Sequence, residues 1–353
     1  MTDPVLRDWD GESLTVRRVP STGVWIVVAV HSTALGPGMG GTRMKVYPGG
    51  VDEAVGDAVR LSGAMTAKNA LAELPFGGGK AVLAVPRIPE GDDRRALLLR
   101  YADVLGSLDG SYVTACDMNT TETDMDVIAE RTSHVLGRSS GNGGSGTSAP
   151  ATAMGVFHGI RACLEHAFGS PSPADRTVVV QGAGAVGSGL CELLAEAGAQ
   201  VFVSDVVADR ATALADRIGA KVAAPDDALV TPCDVLSPCA TGGMLNEETV
   251  PLLRCRVVAG AANNQLATPE DARRLRERHI LYAPDAAISA GGVLALAGRE
   301  TLGWNEPQLT ARLERIGSTL RELFALADLQ GLTTDEAAAF VVRQRLAQAR
   351  GDR

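Results

Sequence analysis

The feature that most constrains the fold is a glycine-rich turn between two apolar runs in the middle of the chain. The segments, in order, are a run at 177–180 (TVVV), the turn at 181–187 (QGAGAVG), a helical stretch at 188–197 and a second run at 200–204 (QVFVS) that ends beside Asp205. The order strand, turn, helix, strand and acid predicts a dinucleotide-binding βαβ unit of a doubly wound parallel sheet. A βαβ unit whose glycines bind no dinucleotide is the alternative, and the complete context disfavours it.

Each glycine of the turn has a physical role in this prediction. Gly182 permits the tight turn, Gly184 lets a pyrophosphate approach a backbone that has no Cβ, and Gly187 allows close packing of helix on strand. The N–H groups and the dipole at the helix start, around Ala185 and Val186, favour the phosphate charge.

The residues that end the second run favour NAD over NADP. Asp205 lies 18 residues after Gly187, close to the spacing of a carboxylate that accepts hydrogen bonds from a ribose 2′-hydroxyl. Val206 and Val207 follow it, so no adjacent base is present to hold a 2′-phosphate, and Arg210 is the only nearby cation.

Length, charge and cysteine usage limit the class of protein. The 353 residues suggest about two domains, and a hydrophobic content of 45% is ample for a buried core. The net charge of −9 argues against nucleic acid or an anionic membrane as a partner. No apolar run approaches membrane-spanning length, the first residues lack the pattern of a signal peptide, and the six cysteines are scattered without CxxC pairs. These features predict a cytoplasmic protein with reduced thiols and no metal site.

Apolar periodicity predicts alternating strands and helices on both sides of a loop rich in Gly and Ser at 137–148. Before the loop we expect a hairpin of strands at 13–19 and 24–31, a helix at 52–64, a strand at 81–85, a helix at 93–105, a strand at 112–115 and a helix at 122–130. After it we expect a helix at 151–166, the dinucleotide unit, strands near 235, 257–259 and 280–283, and a mostly helical end at 308–347. The prediction is an α/β protein with an N-terminal α/β domain at 1–148, which ends with the loop, and a Rossmann-type doubly wound domain at 149–330. A C-terminal helical segment follows at 331–353.

Two lysines in the N-terminal half are candidates for chemistry. Lys68 closes a predicted helix, and Lys80 follows three glycines at 77–79 directly before an apolar strand. A phosphate-binding P-loop does not fit, because Ala81 replaces the required Ser or Thr, Leu74 stands where the first glycine belongs, and a strand follows instead of a helix. A solvated surface charge is the alternative for either lysine.

Polar side chains at the ends of two predicted strands complete the candidates. Asp117 follows the strand at 112–115, where a helix cap is the alternative, although Thr121 is the better cap for the next helix. Asn263 and Asn264 follow the strand at 257–259. Paired amides at the carboxyl end of a strand suit a crevice site of an α/β sheet, and a plain turn is the alternative.

Eight segments together resemble the amino acid dehydrogenase family that includes leucine, valine, phenylalanine and glutamate dehydrogenases. They are 35–43, 65–69, 77–80, 112–117, 124–126, 181–187, 260–265 and 282–285, in the family's order. The resemblance covers most of the chain and implies an NAD-dependent enzyme that converts an amino acid reversibly to its 2-oxo acid and ammonia. It also implies that 1–148 is the substrate and catalytic domain, and that the protein is a homo-oligomer, at least a dimer.

The resemblance assigns roles to the polar candidates. Lys68, the backbone of Gly41 and an asparagine of the Asn263–Asn264 pair would hold the substrate carboxylate. Lys80 would be the catalytic base and acid, its pKa lowered by burial and by the Lys68 cation. Asp117 would exchange a proton with the attacking water or the leaving ammonia.

The resemblance also predicts the cofactor contacts, with two departures from the family pattern. Thr152 resembles the threonine beside the nicotinamide. Ser289 stands where the family usually has an asparagine that contacts the nicotinamide amide, so cofactor binding is expected to be weaker there or to include a water. Cys116 stands where several members have proline, and we interpret it as a packing residue.

The implied side-chain pocket is apolar. Its predicted lining residues are Met39, Ala115, Val293 and Leu296. No base is present for a second carboxylate, which disfavours glutamate and leaves valine, leucine and phenylalanine open. Two other functions also stay open: a catalytically weak NAD-binding sensor, suggested by Ser289, and a dehydrogenase for an unusual pathway-specific amino acid.

Overall fold

The computed structural model of the protein describes residues 4–7 and 9–351. The chain forms two structural units. The first comprises Met1–Thr147, Leu296–Gly303 and Val342–Arg353, and the second comprises Ser148–Ala295 and Trp304–Val341. These bounds differ from the division expected from the sequence in two places, because 296–303 and 342–353 group with the first unit. The functional division at 148/149 stays a prediction.

The first unit is built on a five-stranded sheet. Its elements in chain order are α1 (Pro4–Arg7), β1 (Ser13–Val19), β2 (Val24–Ser32), β3 (Gly38–Lys45), α2 (Gly50–Leu71), β4 (Gly77–Ala84), α3 (Gly91–Gly106), β5 (Tyr112–Cys116) and α4 (Glu122–Ala129). The strand order is β1-β2-β4-β3-β5. Strand β2 is antiparallel to β1 and β4, whereas β3 is parallel to both β4 and β5.

Most elements of this unit agree with the sequence pattern. The predicted hairpin is present as β1 and β2, paired from Ser13 with Val30 to Val19 with Val24. Helix α2 is longer than the predicted 52–64, and the expected face of Val55, Ala58, Val59 and Ser62 is buried. Thr121 caps α4 in a capping box with Asp124, as predicted.

Strand β4 begins four residues earlier than the sequence predicted, so Lys80 lies within the strand and not before it. The three glycines are part of the strand because its neighbours occupy the space of their missing side chains. A Cβ on Gly77 would lie 1.8 Å from the Ser32 carbonyl oxygen, and one on Gly78 would lie 2.1 Å from the Thr66 nitrogen. Only glycine permits this close approach of β2 and α2 to β4.

The second unit contains the doubly wound sheet that the sequence predicted. Its elements are α5 (Ala149–Phe168), β6 (Thr177–Gln181), α6 (Ala185–Glu196), β7 (Gln200–Ser204), α7 (Ala208–Ile218), β8 (Lys221–Val222), β9 (Val235–Pro238), β10 (Val257–Val258), α8 (Glu270–Glu277), β11 (Leu281–Tyr282), α9 (Asp285–Ile288), α10 (Gly291–Glu300), α11 (Glu306–Gln330) and α12 (Thr334–Gly351), the ends of α10 and α12 grouping with the first unit. All six strands are parallel, in the order β11-β10-β9-β6-β7-β8. The order reverses beside β6, which places the glycine turn at the switch point where such sheets bind ligands.

The described residues contain neither a membrane-spanning helix nor a metal-binding cluster of side chains. No helix among them combines the length and the apolarity needed to cross a membrane. No group of His, Cys, Asp and Glu among them could hold a metal ion.

Candidate active site

The lysine and the aspartate predicted to carry the chemistry form an ion pair in the first unit. Lys80 lies on β4 and Asp117 directly follows β5, the two strands that flank β3. The Lys80 Nζ to Asp117 Oδ2 distance is 2.9 Å, with 7% and 24% of the two side chains exposed. A buried amine beside a partly exposed carboxylate is an arrangement that can move protons to and from a substrate.

Burial and neighbouring charged groups set the pKa of the Lys80 amine. Burial lowers the pKa of Lys80 below its ordinary value, although the charge and hydrogen bond of Asp117 oppose that shift. A neighbouring cation, Arg43, adds to the lowering; the contribution expected of Lys68 stays a prediction. A lysine with a lowered pKa can serve as a base nearer neutrality than a free amine can.

Asp117 is held as a carboxylate. Burial alone would raise its pKa, but the charges of Lys80 and Arg43 and the hydrogen bonds they donate outweigh burial, so the pKa of Asp117 lies below its ordinary value. Arg43 Nε lies 3.0 Å from Asp117 Oδ2, the same oxygen that Lys80 contacts. Asp117 therefore stays ionised through the neutral range.

The backbone around Asp117 is fixed by close packing and by one hydroxyl. A Cβ on Gly41 of β3 would lie 2.6 Å from the Cys116 carbonyl oxygen and 2.8 Å from Asp117 Cβ, so only glycine fits there. The Asp117 N–H donates to Thr120 Oγ1 at 2.9 Å, and that hydroxyl donates to the Thr42 carbonyl oxygen at 2.8 Å. These contacts set the direction in which the Asp117 side chain leaves the sheet.

The other first-unit candidates lie on the same three strands and on α2. Met39 and Ala115 are buried on β3 and β5, and Gly41 is in register with Ala115. Lys68 is half-buried in the last turn of α2. The next residue, Asn69, anchors that turn by donating to the carbonyl oxygens of Gly77 at 2.6 Å and Met39 at 3.3 Å.

Cys116 packs and does not act as a nucleophile, as the sequence analysis inferred. Burial raises the pKa of its thiol to about 12. Its Sγ donates weakly to the Gly137 carbonyl oxygen at 3.7 Å. A thiol of this kind is almost wholly protonated at neutral pH and is therefore a poor nucleophile.

The Gly- and Ser-rich segment at 137–148 is a loop, as predicted, and two carboxylates hold it. Glu300 accepts from the Gly137 N–H at 3.1 Å, from the Ser145 N–H at 2.9 Å and from Ser145 Oγ at 2.5 Å. Asp126 accepts from the N–H and the hydroxyl of Ser139. A Cβ on Gly137 would lie 3.6 Å from Leu296 Cδ2, so the clamped loop also borders a predicted pocket residue.

Replacing Glu300 with alanine is expected to lower the free energy of unfolding by roughly 1–3 kcal/mol, because three donors of the half-buried loop lose their acceptor. Urea denaturation of the purified protein measures the loss. The matched control is Glu130→Ala, which removes an exposed pair with Arg95 and should cost about 1 kcal/mol or less. Equal losses of unfolding free energy in the two variants would contradict the inference that Glu300 stabilises the loop.

In the second unit, the glycine turn has the geometry of a phosphate cradle. Gly182 has φ +108°, and a Cβ on Gly187 would lie 1.9 Å from the Gly182 carbonyl oxygen. By contrast, a Cβ on Gly184 would meet no atom within 4 Å. Gly184 is the N-cap of α6 and no side chain caps that helix, so the N–H groups near Ala185 and Val186 can receive a phosphate.

Polar groups at the ends of β6 and β7 complete this cradle. Asp205 accepts from the Ala183 N–H at 2.7 Å and from the Val207 N–H at 2.8 Å, which ties the turn to the strand end. Each of its oxygens keeps a lone pair for a further donor. Within the described residues, buried Gln181 Oε1 and Ser204 Oγ have no hydrogen-bond partner. These unsatisfied groups fit a bound polar ligand such as a dinucleotide.

The remaining candidates lie elsewhere in the second unit. Thr152 Oγ1 donates to the Ser148 carbonyl oxygen at 3.0 Å, and Ser289 Oγ donates to the Asp285 carbonyl oxygen at 2.7 Å. The exposed Asn263 and the half-buried Asn264 follow β10, and the Asn264 N–H donates to the Asp285 carboxylate. Val293 is half-buried on α10, three residues before Leu296.

Three residues that contact the Lys80–Asp117 pair, a neighbour of that pair or the loop were not predicted from the sequence: Arg43, Asp57 and Glu300. Arg43 ended one of the segments that carry the family resemblance, so its position was visible while its role was not. Asp57 and Glu300 are single acids on helices, and no spacing distinguishes them from surface charges.

Comparison with protein families gives matches over nearly the whole chain. Residues 22–134 match the family described as the Glu/Leu/Phe/Val dehydrogenase dimerisation domain. Residues 143–224 and 208–353 match the family described as glutamate/leucine/phenylalanine/valine dehydrogenase.

Individual proteins are similar over the same extent. A valine dehydrogenase of Streptomyces albus is 45% identical over 336 residues, which is 94% of this chain and 91% of that protein. A leucine dehydrogenase of Geobacillus stearothermophilus is 38% identical over 341 residues, which is 97% of this chain and 92% of that protein.

Solved structures share the fold. The L-tryptophan dehydrogenase from Nostoc punctiforme is similar with a TM-score of 0.83 and 36% identity, over 98% of each chain. A hetero-hexameric glutamate dehydrogenase from Thermus thermophilus in a Leu-bound form has a TM-score of 0.79 at 22% identity, over 96% of this chain and 89% of that one, and supports the fold alone.

Proposed function

Because this chain belongs to the glutamate/leucine/phenylalanine/valine dehydrogenase family and is an amino acid dehydrogenase, we propose that it deaminates a branched-chain L-amino acid oxidatively. The products are the 2-oxo acid and ammonia, and the reaction is reversible. The observation that carries the proposal is the buried ion pair of Lys80 and Asp117 at 2.9 Å. A catalytically weak sensor is not favoured, because the similar proteins are named valine and leucine dehydrogenase.

The proton chemistry belongs to the first unit. Neutral Lys80 takes a proton from the water that attacks Cα of the imino acid left after the hydride has departed. The resulting ammonium later returns a proton during collapse of the carbinolamine to the 2-oxo acid. Asp117 gives a proton to, or takes one from, the nitrogen that departs as ammonia. In this unit, Lys68 and the Gly41 backbone would hold the substrate carboxylate.

We propose NAD as the cofactor, held at 182–187, where it would supply the acceptor for the hydride that leaves the substrate Cα. Asp205 would accept hydrogen bonds from the ribose hydroxyls, and its negative charge would repel the 2′-phosphate of NADP. Thr152 and Ser289 would lie beside the nicotinamide. The Ser289 hydroxyl proton is already donated to Asp285, so Ser289 would serve the nicotinamide amide as an acceptor.

The preference for valine or leucine is supported by the relatives and by the apolar candidates for the side-chain pocket. Met39, Ala115, Val293 and Leu296 offer no partner for a charged side chain. The relatives at 45% and 38% identity are named valine and leucine dehydrogenase. One methylene changes pocket discrimination by only about 1–3 kcal/mol, so phenylalanine and tryptophan belong in the same test.

The test of the proposed function is NADH formation from a panel of L-amino acids, with NADP as the paired control. Turnover should be highest with valine or leucine, lower with phenylalanine and tryptophan, and absent with glutamate. Turnover on an unusual amino acid alone would identify a pathway-specific enzyme. Absence of turnover on every amino acid while NAD still binds would refute the dehydrogenase.

Replacing Gly184 with alanine is expected to weaken NAD binding about tenfold or more, a loss of at least ~1.4 kcal/mol, because the new Cβ would stand where the pyrophosphate approaches. The melting temperature of the cofactor-free protein should be unchanged, since that Cβ meets no protein atom within 4 Å. Gly187→Ala is the contrast: its Cβ would lie 1.9 Å from a carbonyl oxygen, so it should lower stability even without NAD. Tight NAD binding by Gly184→Ala would place the cofactor elsewhere.

We also propose that the protein is an oligomer, at least a dimer, in the cytoplasm. Residues 22–134 match a domain described as a dimerisation domain. The six cysteines are free thiols, which supports a reducing compartment. Light scattering during gel filtration measures the oligomeric mass.

A further inference from the structure

The two carboxylate oxygens of Asp117 have different environments. Oδ2 accepts from Lys80 Nζ at 2.9 Å and from Arg43 Nε at 3.0 Å. Both cations are nearest to Oδ2, and 24% of the Asp117 side chain is exposed, so Oδ1 is the oxygen left for a substrate or a water.

Arg43 is itself held in place from behind. Its Nη1 lies 2.9 Å from Oδ2 of Asp57, and the Tyr47 hydroxyl donates to the same oxygen at 2.7 Å. Arg60 contacts the other Asp57 oxygen at 2.7 Å. Only 16% of the Arg43 side chain and 12% of the Asp57 side chain are exposed. A planar guanidinium bound at two edges by two carboxylates has little freedom to rotate.

We propose that Arg43 is a positioning residue for the reaction, a proposal that rests on the proposed function. It fixes Oδ2 of Asp117, leaves Oδ1 as the oxygen that exchanges the proton with the substrate nitrogen, and remains the cationic partner of Asp117 whenever Lys80 is neutral. The proton moves between the substrate nitrogen and Oδ1, so no further reactant is needed.

The reaction requires this second cation because Lys80 must lose its charge to act as a base. When Lys80 is neutral, Asp117 keeps one permanent positive neighbour, since a guanidinium does not deprotonate in proteins. The Arg43 charge lowers the pKa of Lys80 and the pKa of Asp117. Removing it should therefore raise both values.

Other charged or titratable groups bear on the same pair. Those that contact it or act on it from neighbouring elements are Arg43 of β3, Tyr47 after β3, Asp57 of α2, and Tyr112 and Cys116 of β5. Arg60 of α2 acts on Asp57. Of these, Asp57 raises the pKa of Lys80, the opposite of Arg43. The two residues consequently make opposite predictions for the pH profile.

The test compares Arg43→Gln, Arg43→Lys and Asp57→Asn with the wild type, by kcat, KM and the pH profile of oxidative deamination. Arg43→Gln should lower kcat about 10²-fold, the cost of misplacing a catalytic group by about 1 Å, with KM for the amino acid nearly unchanged. Its acid limb, which reports deprotonation of Lys80, should move to higher pH. Arg43→Lys keeps the charge and should restore the acid limb while recovering only part of kcat. Asp57→Asn should move the acid limb to lower pH, because the Asp57 charge raises the pKa of Lys80.

The matched control is Arg131→Gln, which breaks an exposed pair with Asp103 in the same unit and should not change kcat or the pH profile. If Arg43→Gln fails to fold, as judged by circular dichroism, Arg43→Lys and Asp57→Asn carry the test. An Arg43→Gln enzyme with nearly full kcat, or one with reduced kcat and an unshifted acid limb, overturns the proposal.

A second readout separates this proposal from the proposed function. The rate at which acetic anhydride acetylates Lys80, followed by mass spectrometry of its peptide over a range of pH, reports the pKa of that amine without any turnover. Arg43→Gln should move this profile to higher pH even if the wild type oxidises no amino acid. In that event the proposed function fails while the coupling of Arg43 to Lys80 stands, and an unmoved labelling profile refutes the coupling.

Discussion

Lys80→Ala is expected to lower kcat by about 10²- to 10⁴-fold, the range that a positioned general acid or base contributes. The loss has a structural reason beyond the missing amine. Lys80 Nζ is one of only two described donors to Asp117 Oδ2. Its removal leaves Asp117 with Arg43 alone and free to move toward it. Both proton-transfer groups are therefore affected by one substitution.

The control for Lys80→Ala is NAD affinity, measured by the fluorescence of bound NADH. It should be unchanged, because the proposed cofactor turn at 182–187 belongs to the second unit. Lys221→Ala, which removes an exposed lysine from β8, is the matched substitution and should leave kcat as in the wild type. Full activity of Lys80→Ala would exclude this lysine as the catalytic base.

Gly41→Ala is expected to lower kcat/KM by about 10²-fold, through displacement of Asp117. The new Cβ would lie 2.6 Å from the Cys116 carbonyl oxygen and 2.8 Å from Asp117 Cβ, and contacts this short force the backbone of β3 or β5 to move. Overpacking of this kind also costs about 1–3 kcal/mol of stability. Steady-state kinetics and urea denaturation measure the two effects.

Gly106→Ala separates this steric effect from the general effect of replacing glycine. Gly106 ends α3, and a Cβ there meets no atom within 4 Å. That substitution should leave kcat/KM unchanged and stabilise slightly, because alanine favours the helix. Wild-type kinetics in Gly41→Ala would mean that Asp117 tolerates a backbone shift and that its position is less constrained than the packing indicates.

Sequence predicts an element well where one physical pattern dominates it. The glycine turn, the apolar runs around it and the terminal Asp205 follow one local rule, and the parallel sheet agrees with that rule. Strand β3 was missed because glycines at 38, 40 and 41 weaken the strand signal. Those glycines reflect contacts with β4 and β5, which come from distant parts of the chain, and periodicity cannot reveal such contacts.

The candidate site also contains some residues that the local sequence reveals and others that only tertiary packing brings together. Lys80 and Asp117 were recognisable from their local surroundings and from the family resemblance. The link from Asp117 through Arg43 to Asp57 was not, because its members are joined only when β3, β5 and α2 pack together. The contribution of Arg43 to the lowered pKa of Lys80 was missed for the same reason, although burial, the larger cause, was predicted. Which cation lies nearest depends on tertiary packing and not on the order of residues.

The central place of β4 in its sheet has a consequence for the timing of motions in this enzyme. Lys80 is on a strand paired on one side with β2 and on the other with β3, and Lys80 itself is in register with Ala29. Backbone amides in the middle of such a sheet exchange with solvent only during the rarest, largest openings. The catalytic amine is thereby insulated from local fluctuations, and hydrogen–deuterium exchange should find its strand among the slowest segments of the first unit. Motions that accompany each turnover must then arise outside this strand.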